Sequence, residues 1–186
     1  MKKDENFDAR QRVELKLLEN STYYLNGEIT SENINEVIKW ILYENLSAKE
    51  QKLLTLYINS VGGDLYDAFA LIDVMRTSPH KIRTVGLGAV MSSAFLIFSA
   101  GTPGERWAST NASFMSHQYS DNLSGKHHDL KATMKDGELM NQRMINLLKN
   151  VTGLTVSKVK TKLLTPSDVY LTAQEVVALG VADHLL

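Results

Sequence analysis

The sequence predicts an α/β fold with a largely parallel sheet. Three observations carry that prediction. Short apolar runs alternate with segments of helical period along the chain, as expected when each strand is followed by a covering helix. Residues 53–58 (LLTLYI) are apolar with little alternation, which fits a strand covered on both faces. The 186 residues hold no repeat, linker or low-complexity tract, so one domain over residues 1–186 is expected, able to bury about 70% of its unfolded surface.

The elements follow in order. Residues 13–18 read as a short helix, within an N-terminal segment 1–20, leading into a strand at 23–25. Residues 31–46 are helical: Ile34, Val37, Ile38, Ile41 and Leu42 recur at i, i+3, i+4, i+7 and i+8 and mark one apolar face. After strand 53–58 comes NSVGGD, with a turn at Gly62-Gly63. A helix over 64–75 then carries Leu65, Ala68, Phe69, Ile72 and Met75 on one side. A short strand is expected at 82–85. In the next stretch, 88–101 (GAVMSSAFLIFSAG), the strand ends near Val85 and Gly86 and Gly88 turn the chain. A helix starts near Met91, with Ser92 in its first turn. A Pro-Gly turn at 103–104 follows. Residues 113–117 read as a strand and 121–125 as a polar loop. The longest periodic segment, 126–151, repeats Leu130, Met134, Met144, Leu147, Leu148 and Val151 at helical spacing, with Gly153 placed to cap it. A shorter helix spans 156–164. Thr172 to Glu175 form a capping box that opens a last helix, and Gly180 stands where it stops.

Composition removes several function classes. A net charge of −1 supplies no field to gather nucleic acid or acidic lipid. The absence of cysteine excludes disulfides, thiol catalysis and cysteine-ligated zinc. The start, MKKDENFDARQR, is polar and has no apolar h-region, so no secretory signal is expected. The longest apolar stretch, 85–100, is short for a membrane span and is broken by Gly86, Gly88, Ser92, Ser93 and Ser99. A cytoplasmic protein is expected, binding neither nucleic acid nor membrane.

The chemistry concentrates on the serine pair, Ser92 and Ser93, in surroundings that otherwise build a core. A serine at a helix start usually caps it. At a strand-to-helix turn it is also a recurrent nucleophile, provided a base and an orienting carboxylate exist elsewhere. His117 ends an apolar strand (FMSH), and strand C-termini are where open α/β sheets place their sites. His127 and His128 lie on a polar helix start, His80 follows a Ser-Pro turn and His184 is two residues from the end. Asp168, in TPSDVYLTAQE, is a candidate carboxylate. The Gly62-Gly63 turn follows a strand and opens a helix, so its N–H groups are free to face an anion or oxyanion. NSVGGD is neither a dinucleotide fingerprint nor a Walker motif.

Taken together, four blocks resemble a known family. Residues 59–63 (NSVGG), 88–92 (GAVMS), 114–118 (FMSHQ) and 168–175 (DVYLTAQE) are similar to the NSPGG, GxAAS, MIHQ and DRFLSAxEA blocks of the Clp protease proteolytic subunits, the ClpP family. The resemblance runs from about residue 22 to the C-terminus, in the same order and with similar separations. It implies the ClpP/crotonase-type fold: repeated β-β-α units with a protruding handle helix, here in region 122–152. It implies that Ser92 is the nucleophile, His117 the general base and Asp168 the group that holds the imidazole, with the backbone N–H groups of Gly63 and Ser93 as the oxyanion hole. It further implies a serine endopeptidase in two stacked rings, heptameric in most members, that hydrolyses unfolded polypeptides inside a closed chamber. An AAA+ unfoldase such as ClpX or ClpA would feed it and spend the ATP, so no cofactor or metal is expected in this chain. Two alternatives share the shape: a non-catalytic ring subunit that co-assembles with an active ClpP, and a crotonase-like acyl-CoA enzyme. The chain departs from the family at Val61 (proline in the family), at Ser93 (methionine) and at Ala94-Phe95 (Gly-Ala). It also lacks the Pro-Leu-Gly-Gly segment after His117.

Overall fold

The computed structural model describes residues 8–47, 50–120 and 124–186. Among them, β1 (Thr22–Asn26), β2 (Leu53–Ser60), β3 (Lys81–Met91), β4 (Arg106–Ala108) and β7 (His184–Leu185) lie side by side in one parallel sheet. β5 (Ser113–Ser116) runs parallel to the far end of β3, and β6 (Val169–Leu171) pairs antiparallel with β5. The helices are α1 (Ala9–Glu19), α2 (Ser31–Ser47), α3 (Leu65–Thr77), α4 (Ser93–Ser99), α5 (His127–Thr152), α6 (Val156–Lys162) and α7 (Ala173–Ala178). The α/β class and the parallel sheet agree with the sequence-based expectation. Residues 1–7 of the N-terminal segment, and 121–123 of the expected loop and handle region, lie outside the described residues.

Two differences position the site. β3 does not stop near Val85. It runs on to Met91, so Gly86 and Gly88 lie inside a strand rather than in a turn. The reason is space: a Cβ on Gly86 would come within 3.0 Å of the Phe114 ring, and one on Gly88 within 2.6 Å of Asn59 Oδ1. Asn59 uses that approach to accept from the Ala89 amide at 3.0 Å, while its own amide donates to Asn26 Oδ1 at 2.9 Å. The ladder between β2 and β3 shifts register here, between Ile58 and Ser60, and β3 changes neighbour from β4 to β5. The second difference follows. The helix starts at Ser93, and Ser92 is its N-cap rather than a first-turn residue.

The core lies around α4, whose seven residues are all buried, as expected for a helix apolar on every side. Phe95, Phe98 and Phe114 are fully buried, each contributing about 2–3 kcal/mol of hydrophobic stabilisation. β2 buries Leu54, Leu56, Ile58 and Ser60 and leaves its alternate residues half-buried, so one face is covered more fully than its apolar run suggested. On α2 the stripe is rotated: Trp40 and Glu44 are buried with Ile34, Val37 and Ile41, and Leu42 is exposed. Trp40 packs on Tyr23, and Glu44 accepts from Lys52 Nζ at 2.5 Å. The chain end is tied down by Asp183. It accepts from the Gly104 and Arg106 amides and from Arg106 Nε, each at 2.9 Å, and from Arg106 Nη2 at 2.6 Å. Arg106 Nη1 also donates to the Val151 carbonyl at the end of α5. α5 is buried at Met140, Met144, Ile145, Leu147 and Leu148 and exposes Met134 and Leu139 nearer its start. No described helix is long and apolar enough to cross a membrane.

Candidate active site

Ser92 stands where β3 meets α4, with φ 55° and ψ −124°. This conformation is costly for a residue with a Cβ and survives only when the surroundings enforce it. They do so from three sides. The Ser92 amide donates to the Met115 carbonyl of β5 at 2.9 Å, and its carbonyl accepts from the Phe95 amide at 3.0 Å. Gly62 lies against the turn so closely that a Cβ there would meet Ser92 Cβ at 2.6 Å and the Met91 carbonyl oxygen at 2.7 Å.

A capping serine turns its hydroxyl onto the first amides of its helix. Ser92 makes no such bond. Its Oγ lies 2.8 Å from His117 Nε2. The other imidazole nitrogen, Nδ1, lies 2.5 Å from the Gln118 carbonyl oxygen. A carbonyl only accepts, so Nδ1 carries the proton and Nε2 offers its lone pair to the serine O–H. This is the tautomer a general base needs.

β5 delivers the imidazole by ending at Ser116, which leaves His117 as the next residue beyond the ladder. The ladder between β5 and β6 ends at Ser116↔Val169, so His117 and Asp168 each lie one residue beyond its last pair. Asp168 is exposed, and its carboxylate makes no hydrogen bond to the imidazole. Gly63 and Ser93 flank Ser92. A backbone bridge holds Gly63 to Ile29: the Ile29 amide donates to the Gly62 carbonyl and the Asp64 amide to the Ile29 carbonyl. The Gly63 N–H itself takes no part in that bridge. The Ser93 N–H is the first of α4 and has no carbonyl one turn back within the helix. Ser92, Ser93, Gly63 and His117 line one cleft of about 190 Å³, with Tyr66, Tyr119 and Met144 among its other walls. Tyr66 donates to Asp136 of α5, and the Tyr119 amide donates to Asn141 Oδ1 at 3.0 Å.

The remaining histidines lie apart from the cleft. His80 is buried between the Lys52 amide and the Glu44 carbonyl. His127 and His128 pack on each other at the start of α5. His184 stacks on Trp107. No group of described residues forms a cluster able to hold a metal ion. The Gln118 carbonyl, the tyrosines and Met144 were not among the sequence candidates. A backbone oxygen leaves no trace in sequence, and the tyrosines carried no periodic or motif signal.

The Clp protease family model matches residues 4–186. The chain belongs to the Clp protease family. It is similar to the ATP-dependent Clp protease proteolytic subunit 1 of Leifsonia xyli subsp. xyli, 33% identical over 91% of this chain and 85% of the relative. It is also similar to the subunit 1 of Corynebacterium jeikeium, 32% identical over 95% and 93%. A third relative is subunit 2 of Corynebacterium efficiens, 31% identical over 92% and 84%. The chain is a serine peptidase and the proteolytic subunit of a Clp protease. Membership of the Clp protease family implies assembly into oligomers of such subunits that work with Clp ATPases.

Proposed function

We propose that this Clp protease subunit cleaves peptide bonds with Ser92 as nucleophile, His117 as general base and Asp168 as the carboxylate that supports the imidazole. The observation that carries the proposal is the 2.8 Å approach of His117 Nε2 to a Ser92 hydroxyl held on a strained turn and released from capping. In this reading Ser92 Oγ attacks the scissile carbonyl while Nε2 takes its proton. The oxyanion receives the Gly63 and Ser93 N–H groups, and the imidazolium then gives its proton to the leaving amine. Water, deprotonated by the same nitrogen, hydrolyses the acyl-enzyme and restores the serine. The assignment of Asp168 is supported by register alone: it and His117 each lie one residue beyond the last pair of the β5–β6 ladder.

The substrates are unfolded polypeptides, cleaved inside a chamber of two stacked, heptameric rings in the cytoplasm. An open cleft on a single chain does not keep folded proteins from being attacked indiscriminately, so the choice of which protein is degraded belongs to an AAA+ unfoldase such as ClpX or ClpA. That partner spends the ATP, and this chain, a single peptidase domain, needs no cofactor. The test is labelling with a fluorophosphonate. Ser92 is expected to be the labelled residue, and Ser92→Ala to abolish both labelling and cleavage of short peptides. Cleavage retained in a preparation of pure Ser92→Ala overturns the assignment.

A further inference from the structure

We propose that Asn141 of α5 is a positioning residue for the reaction. By fixing one peptide unit, 118–119, it keeps the ring proton of His117 on Nδ1 and so keeps Nε2 ready to accept from Ser92. The proposal rests on the assignment of Ser92 and His117 and adds the group that sustains the working tautomer.

Peptide 118–119 is gripped at both of its polar groups. Its carbonyl oxygen, on Gln118, lies 2.5 Å from His117 Nδ1. Its N–H, on Tyr119, donates to Asn141 Oδ1 at 3.0 Å. The peptide is trans, so the two groups point to opposite sides. A side chain that fixes the N–H on α5 therefore aims the carbonyl at the imidazole. The chain of contacts runs from Asn141 through the peptide to His117 and on to Ser92 Oγ, 2.8 Å from Nε2.

The polarity of this peptide decides the chemistry. Turned over about the line joining its two Cα atoms, it would offer Nδ1 an N–H in place of a carbonyl. Nδ1 would then accept, the ring proton would sit on Nε2, and Nε2 could not take the serine proton. The two ends of that line are each held from the side. Gln118 Nε2 donates to the Leu164 carbonyl, just past α6, at 3.0 Å. The Tyr119 ring lies on α5 at Gly137, where an added Cβ would come within 3.0 Å of it. Neither contact opposes rotation between the ends. The bond to Asn141 does, because reversal breaks it.

α5 is shaped for this segment. Gly137 and Asn141 stand one turn apart on the same face, and Met144, three residues on, lines the cleft. A glycine inside a helix lowers its stability, and here it makes room for the ring whose own amide Asn141 receives.

The test compares steady-state cleavage of one short peptide by the assembled protein and by three variants. Asn141→Leu keeps the shape without an acceptor. Asn141→Ala also lacks the acceptor and suits a helix better. Asn141→Asp can only accept. In Asn141→Leu kcat is expected to fall about tenfold, roughly the worth of one orienting hydrogen bond, with KM changed less than about twofold. Asn141→Ala should move in the same direction, and it carries the prediction if Asn141→Leu does not assemble. Asn141→Asp should stay within about twofold of the parent, since a carboxylate still receives the N–H. An unchanged kcat in the variants without an acceptor overturns the proposal. So does a kcat as low in Asn141→Asp as in Asn141→Leu, or a KM that rises while kcat stands, which marks a wall of the cleft and not a hold on the base. Fluorophosphonate labelling separates the two assignments. A parent protein that neither labels at Ser92 nor cleaves any peptide removes both, whereas labelling and cleavage with kcat indifferent to position 141 remove the role of Asn141 alone.

Discussion

His117 presents its Nδ1 to the carbonyl oxygen of its own neighbour Gln118, 2.5 Å away, and not to a carboxylate. That bond already fixes the tautomer that lets Nε2 accept from Ser92. It divides the work that a single carboxylate performs in other serine peptidases.

Asp168→Asn is therefore expected to cost less than loss of either partner of the short contact. Ser92→Ala or His117→Ala should lower kcat by about 10⁴-fold or more, and Asp168→Asn by about 10- to 100-fold. Steady-state cleavage of one short peptide by the three variants checks this. Equal losses in all three would mean that the carboxylate, and not the Gln118 carbonyl, orients the imidazole in the working enzyme.

Gly62→Ala should damage the site more than the fold. The added Cβ would meet Ser92 Cβ and the Met91 carbonyl well inside contact distance, and φ of 95° already disfavours a side chain. A stability loss of about 1–3 kcal/mol is expected, with fluorophosphonate labelling of Ser92 slowed at least tenfold. Normal labelling in the variant would show that the turn at Ser92 tolerates being pushed.

The Asp183–Arg106 pair predicts a specific response to acid. Burial pushes the Asp183 carboxyl up, but hydrogen bonds from the Arg106 side chain and amide, the Arg106 charge and the Gly104 amide outweigh it. The carboxyl therefore sits below its ordinary value of 3.8. A carboxyl depressed in the folded state binds fewer protons there than when unfolded. Its contribution is full above the ordinary carboxylate range and is lost as pH falls through that value and below it. Asp183→Asn should cost about 2–4 kcal/mol at pH 7, because Arg106 is left buried without its partner. Urea titrations at falling pH should show the two proteins converging below about pH 4. A constant difference across that range would remove the pair from the acid response.

Assembly through α5 makes a prediction about mass. Met134 and Leu139 are exposed on a helix whose later half is buried, at 58% and 49%. If rings stack through this helix, Met134→Glu with Leu139→Glu should halve the particle mass by light scattering while leaving each ring intact. An unchanged mass places the contact between rings elsewhere.

The long helices were legible because their period persists: Ile34, Val37 and Ile41 mark α2 whatever lies around them. The edge of the stripe was not legible, since whether Leu42 or Trp40 and Glu44 turn inward depends on Tyr23 and Lys52, partners distant in sequence. β4, β6 and β7 hold three, three and two residues, too few for any period, and each exists because a neighbouring strand pairs with it. Gly86 and Gly88 permit a turn as far as sequence goes, whereas in the fold they leave room for Phe114 and Asn59. At the site, Ser92 and His117 were legible as residue types at element ends. Their 2.8 Å approach was not, because it depends on β3 changing neighbour midway.

That change of neighbour leaves the two halves of the chemistry on ground of unequal firmness. The alcohol grows from a strand clamped first by β4 and then by β5, and from a helix sunk in the core, so displacing it means melting the molecule. The imidazole hangs beyond the last rung of a four-residue strand whose outer companion has three residues. A rearrangement of this cleft that spares the core therefore has the ring to move, with the serine as the fixed post.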